Sequence, residues 1–138
     1  MFELDHLASG MPLRMNGFSV YVVTYNPHEM FEVEDYQSAD GKDPYIDWLN
    51  GLSDRMAKAR VAVRVQRMAA GNFGDCKPIQ DGVWELRIDH GPGYRVYYAQ
   101  AGKRLILLLL GGDKRKQQAD ITAAIDYWQD WQLRKNTK

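Results

Sequence analysis

Between residues 84 and 110 the chain shows three β-favouring runs in quick succession. Trp84 to Asp89 and Tyr94 to Tyr98 alternate bulky and polar side chains, and Leu105 to Leu110 is wholly apolar. Alternation predicts strands with two unlike faces, whereas an unbroken apolar run of that length predicts a strand covered on both. The turns His90-Gly91-Pro92-Gly93 and Ala101-Gly102 join them, so the block reads as a three-stranded meander over about 83–89, 94–100 and 104–110. Earlier, Phe31 to Tyr36 alternates apolar with acidic residues and predicts a half-exposed strand. Phe18 to Tyr25 is also β-rich and closes on Asn26-Pro27.

Helical spacing appears in three places. Asp43-Pro44 opens a short helix that buries Tyr45, Ile46, Trp48 and Leu49 and ends at Gly51. Ser53 is the expected cap of a longer helix to about Ala70, with an apolar stripe of Ala57, Val61, Val65, Met68 and Ala69. Arg60, Arg64 and Arg67 form a basic row on that helix, either a solvated face or a contact for an acidic partner or ribosomal RNA. A final helix over roughly 116–134 places Ile121, Ile125, Trp128 and Gln132 on one side. The expected fold is one α+β domain with an antiparallel-rich twisted sheet, two helices on one face and a C-terminal helix. Residues 1–29 read as an extension added to a domain of residues 30–138, or as an additional edge strand.

Period-two geometry sorts the meander's side chains. Trp84, Leu86 and Ile88 share a face with Tyr94, Val96 and Tyr98, and should pack on the helices. Arg87, Arg95 and Tyr97 then gather on the other, which is expected to be open, with Glu85 and Asp89 placed to hold the guanidinium groups. Lys77, expected in the loop before the meander, and Lys114, Arg115 and Lys116 just after it would rim that face. Guanidinium groups grip phosphate bidentately and a tyrosine stacks on a base, so the surface suits a nucleic acid. Simple cross-strand ion pairing explains the same residues equally well. His90 is either a plain turn residue or a proton shuttle.

Charge sharpens the picture. The net charge is zero, yet residues 1–40 hold one basic and seven acidic residues, while 41–118 hold fourteen basic and eight acidic. A basic centre lies behind an acidic front. One cysteine, Cys76, excludes an intrachain disulfide and argues against a cysteine-based metal site, leaving a structural role or a reactive thiol. No Walker loop, zinc cluster or Ser/His/Asp order stands out. No apolar run approaches the roughly 20 residues of a membrane helix, and residues before Arg14 lack the form of a secretory signal, so a cytoplasmic location is expected.

Several motifs together carry a resemblance: Gly51-Leu52-Ser53-Asp54, Gly71-Asn72-Phe73-Gly74-Asp75-Cys76-Lys77-Pro78, Glu85-Leu86-Arg87, Gly91-Pro92-Gly93-Tyr94-Arg95-Val96-Tyr97-Tyr98 and Gly111-Gly112-Asp113-Lys114. Over about residues 31–125 the chain resembles the RelE/ParE toxin superfamily, and within it the HigB-like addiction-module killer proteins. The resemblance implies the toxin of a bacterial type II toxin–antitoxin pair that cuts mRNA on the ribosome. In that reaction the ribose 2′-hydroxyl attacks its own 3′-phosphate with neither metal nor cofactor. It further implies phosphate-stabilising roles for Arg87 and Arg95, nearby basic roles for Lys77 and Lys114, and an orienting role for Tyr97 or Tyr98. RNA contacts fall to Arg115, Lys116, Arg64 and Arg67. No general base stands out, and His90, Asp89 and Lys77 are the candidates. The implied partners are a helix-turn-helix antitoxin, the ribosome and mRNA, with operator DNA reached only through the antitoxin complex. Two alternatives accompany the fold: a ParE-like inhibitor of DNA gyrase without nuclease chemistry, and a relative retained only for binding its antitoxin.

Overall fold

The computed structural model describes residues 12–15, 18–21 and 30–136. The chain divides into two units, Met1–Met30 and Phe31–Lys138. In the first, β1 (Pro12–Met15) pairs antiparallel with β2 (Phe18–Tyr21) as a two-stranded sheet. The expected remainder of the second strand and the Asn26-Pro27 turn lie outside the described residues.

The second unit runs β3 (Glu32–Asp35), α1 (Pro44–Gly51), α2 (Arg55–Ala69), β4 (Cys76–Gln80), β5 (Val83–Ile88), β6 (Tyr94–Ala101), β7 (Leu105–Asp113), a 3-10 turn at Lys114–Lys116, and α3 (Gln117–Asn136). Its sheet has the order β3-β7-β6-β5-β4, antiparallel except where β3 runs parallel to β7. The α1 start follows the sequence signals: Pro44 leads the helix and the Asp43 carboxylate accepts from the Ile46 N–H at 2.9 Å. For α2 the cap is Asp54 rather than the expected Ser53; its carboxylate accepts from the Met56 and Ala57 N–H groups. Aspartate and serine cap about equally well, so the sequence left that choice open.

Strand β4 is an element that the three-strand reading omitted. Pro78 obscures it, because proline gives no ladder donor and is tolerated only where that donor is not needed. The turn Asp81-Gly82 marks it: both residues have positive φ, 52° and 86°, and Gln80 pairs with Val83, the geometry of a two-residue hairpin turn. This hairpin moves Lys77 from the expected loop onto an edge strand, opposite Glu85.

Both faces of the sheet are covered. On one, Leu86, Ile88, Val96, Tyr98, Ile106 and Leu108 cluster with Tyr45, Leu49, Ala57, Val61 and Met68 of α1 and α2. On the other, Val83, Tyr97, Ala99, Leu107 and Leu109 cluster with Ile121, Ala124 and Trp128 of α3. The alternation was sorted correctly, but the second face is not open: α3 lies over it, and β5 and β6 are largely buried as a result. Beyond the paired positions Tyr98↔Leu108 and Tyr97↔Leu110, Leu109 is an extra residue on β7. The bulge resets the pleat so that Gly111 meets the Trp48 ring of α1 and Gly112 meets the Asp120 carboxylate of α3. A Cβ at either glycine would collide with that neighbour.

Candidate phosphate-binding cleft

Arg87 and Arg95 are cross-strand partners on β5 and β6, so their Cβ atoms start about 5 Å apart. Like charges so placed repel unless each has a counter-charge, and each has one. The Arg87 guanidinium bonds the Asp75 carboxylate through Nε at 3.2 Å and Nη2 at 2.8 Å. The Arg87 backbone N–H also donates to the Asp75 carbonyl at 2.9 Å. Asp75 and not Asp89 therefore orients Arg87, a consequence of β4 that the alternation of β5 alone could not reveal. The Asp75 contact also raises the pKa of Arg87, keeping it cationic. Arg95 is held differently. Its Nε lies 3.3 Å from Glu85 Oε2, and Gln117 Nε2 donates to the same oxygen at 3.3 Å. Glu85 is wholly buried. The Arg95–Glu85 approach is an ion pair without hydrogen-bond direction, since Arg95 Nε and Glu85 Oε1 have no directed partner.

These two arginines open into a cleft of about 450 Å³, whose lining includes Asp75, Asp89, the Gly91-Pro92-Gly93 turn, Tyr94 and Lys114. Exposure separates the pair: the Arg87 side chain is 42% exposed and that of Arg95 12%. Three cations thus face one concavity, with Asp89 exposed at its rim. Such a site can hold a phosphodiester and stabilise added negative charge upon it.

Other candidate residues lie elsewhere. Tyr97 is completely buried beneath α3, so the expected exposed stacking ring is corrected; its hydroxyl has no partner among the described residues. Burial, and then the nearby Glu85 charge, push its phenol above the ordinary tyrosine value. His90 turns away from the cleft, and its Nε2 lies 3.0 Å from the Asp54 carboxylate that caps α2. Lys77 is exposed on β4 and does not line the cleft. Arg115 folds back on Asp113, with Nη2 to Oδ2 at 2.8 Å, and faces with Lys116 into a separate hollow beside Trp48. Arg64 is structural: its guanidinium donates to the Arg87 carbonyl at 2.7 Å and the Phe73 carbonyl at 3.3 Å. Arg67 is exposed on α2. Cys76 packs at the α1/α2 core beside Tyr98. Among the described residues, no group of three or more His, Cys, Asp or Glu side chains could hold a metal ion.

Residues 47–126 match the family model described as Phage derived protein Gp49-like (DUF891). The chain belongs to this family. It is a family of toxin–antitoxin toxins in the RelE/HigB-like superfamily. Over 80 residues the chain is also 49% identical to an uncharacterized protein of Haemophilus influenzae, covering 58% of this chain and 81% of that relative. The Gp49-like segment includes α2, the whole β4–β7 hairpin series and the first half of α3, and therefore every residue of the cleft. No helix among the described residues is long and apolar enough to cross a membrane.

Proposed function

We propose that this Gp49-like protein is the toxin of a type II toxin–antitoxin pair and acts as a metal-independent, ribosome-dependent mRNA endonuclease. The observation that carries the reading is the convergence of Arg87, Arg95 and Lys114 on one cleft, two of them fixed by carboxylates behind them. Cleavage by 2′-hydroxyl attack forms a pentacovalent phosphorane bearing extra negative charge. Preorganised guanidinium groups stabilise that charge without reorganising at the moment of reaction. The scissile phosphate sits between Arg87 and Arg95, and Lys114 neutralises the phosphate beside it. Tyr94 walls the site, and Asp89 accepts the 2′-hydroxyl proton from the rim. The 2′-oxygen bonds to phosphorus and the bond to the 5′-oxygen breaks, leaving a 2′,3′-cyclic phosphate; the departing 5′-oxyanion takes a proton from solvent water to become the 5′-hydroxyl.

Arg87→Ala is the decisive substitution because this side chain is half exposed and its removal leaves the core intact. Induced wild type should arrest growth and generate new mRNA 5′ ends within codons, whereas Arg87→Ala should cut about 10²–10³-fold more slowly. Growth arrest with uncut mRNA, together with inhibition of gyrase supercoiling by the purified protein, would replace this reading with the gyrase-inhibitor alternative.

A further inference from the structure

A hollow of about 410 Å³ lies at the end of β7, separate from the cleft. Its lining includes Trp48 of α1, Gly111 and Gly112 of β7, Asp120 of α3, and Arg115 and Lys116 of the 3-10 turn that joins β7 to α3. β3 pairs with β7 only as far as Leu108, so among the described residues no strand covers the outer edge of β7 from Leu110 to Gly112. Gly111 lets the Trp48 ring lie against this backbone, and Gly112 does the same for the Asp120 carboxylate. Asp120 is half-buried and accepts no hydrogen bond from the described residues. Burial pushes its carboxyl above the ordinary value, against the opposing charge of Lys116. Hollow and cleft are neighbours. Gly112 is the cross-strand partner of Arg95, and the Trp48 ring centre lies 6.3 Å from that of Tyr94, which walls the cleft.

We infer that this hollow is a base pocket for the RNA substrate and takes guanine from a nucleotide beside the scissile phosphate. Asp120 accepts from the guanine N1–H and exocyclic amine, Trp48 supplies the stacking wall, and Arg115 and Lys116 meet the backbone phosphate. The inference rests on the nuclease reading above. Mixed charge selects the occupant. A bare anion would meet the Asp47 and Asp120 carboxylates, and a bare cation would meet Arg115 and Lys116. A nucleotide satisfies both, because its base donates hydrogen bonds while its phosphate is anionic. An ionised carboxylate only accepts, and among the four bases only guanine offers it two parallel donors. Adenine and cytosine set a ring-nitrogen acceptor beside their amine, and uracil flanks its single N–H with two carbonyls. Each of these three therefore turns a lone pair toward Asp120.

The test is NMR titration of the isotope-labelled full chain with the 5′-monophosphates of guanosine, adenosine, cytidine and uridine, read at the Gly111 and Gly112 amides and the Trp48 indole. It is paired with mapping of mRNA cut sites for wild type and Asp120→Asn. The guanosine nucleotide should bind at least about 10-fold more tightly than the other three, and wild-type cut sites should carry guanine at one flanking position. In Asp120→Asn the amide exchanges an acceptor for a donor, so that advantage should fall about 10-fold and the guanine enrichment should disappear. If thermal melts show that this variant fails to fold, Asp120→Ser serves in its place. Equal binding of the four nucleotides, or shifts confined to other groups, would overturn the proposal. So would guanine-selective binding with an unaltered cut-site preference in the variant, which would assign the hollow to a guanine of ribosomal RNA. Guanine-selective binding by a wild type that cuts no RNA would strike the nuclease reading while upholding the pocket.

Discussion

Arg87 and Arg95 face each other on adjacent strands, yet their different burial gives them different consequences. Removing Arg87 releases Asp75, whose carboxylate is 55% exposed and can be solvated by water. Removing Arg95 strands Glu85, a wholly buried carboxylate that keeps only Gln117. Arg95→Ala should therefore destabilise the fold by about 3–5 kcal/mol, because a buried charge without its partner is strongly penalised. Urea denaturation measures this, and Glu85→Gln in the same chain should restore much of the loss by removing the stranded charge. If Arg95→Ala unfolds at the wild-type midpoint, Arg95 does not neutralise Glu85. The expectation that both arginines lie on an open face came from alternation, which places a residue on a face but says nothing of what covers that face. Arg64 teaches the same lesson, since it belongs to a basic row by spacing yet caps two carbonyls in the structure.

Contacts between elements decide how the ends of β3 and α1 behave. Asp35, the last residue of β3, hydrogen-bonds Asp43, the cap of α1. Burial first, and then the Asp43 hydrogen bond and charge, push the Asp35 carboxyl from 3.8 to about 7. The protonated acid donates to a carboxylate that already accepts from the Ile46 N–H. The folded state thus holds the proton more tightly than the unfolded chain, so this contribution is complete below about pH 4 and is lost as pH rises through about 7. Asp35→Asn keeps a donor but cannot ionise. It should flatten the decline in melting temperature between pH 4 and 7.5 and add roughly 1–3 kcal/mol at pH 7.5, discounting for partial exposure. A variant with the same slope as wild type would remove Asp35 as its source. At this scale the α1 cap, the helix stripes and the meander were legible, because each is written in local spacing, whereas the α2 cap fell to Asp54 and not to Ser53. Strand β4 was legible in principle through Asp81-Gly82, and its proline hid it.

For the whole second unit, the sheet is a layer between two cores, and α3 supplies the outer one. Trp128 packs over the β4–β5 turn at Gly82 and stacks on Trp131 with ring centres 5.6 Å apart. Tyr36, at the end of β3, stacks on Tyr127 and donates to Asp130 at 2.7 Å. The same helix begins with Gln117, the residue that shares Glu85 with Arg95. Holding the tail and forming the cleft are therefore one structural task. Trp128→Ala should cost about 3–5 kcal/mol in thermal or chemical unfolding. It should also weaken the proposed cleavage through Arg95, whose counter-ion Glu85 is held by Gln117 at the other end of the helix. Full activity in a variant that has lost that much stability would separate the two tasks.

The sequence by itself determined the α+β class, the meander, three helices, the sorting of side chains between two faces, and the grouping of Arg87 with Arg95. All of these follow from periodicities of 2 and 3.6 and from short-range capping and turn chemistry. Only the tertiary structure decided that α3 closes the supposedly open face, burying Tyr97 and Glu85. Only it decided that Asp75 holds Arg87, that His90 serves α2, and that the cleft takes Lys114 but neither Lys77 nor Arg115. Periodicity fixes the direction of a side chain relative to its own backbone. Which element covers that side chain, and which counter-charge reaches it, depends on segments distant in sequence, here 12 residues away for Asp75 and 32 for Gln117.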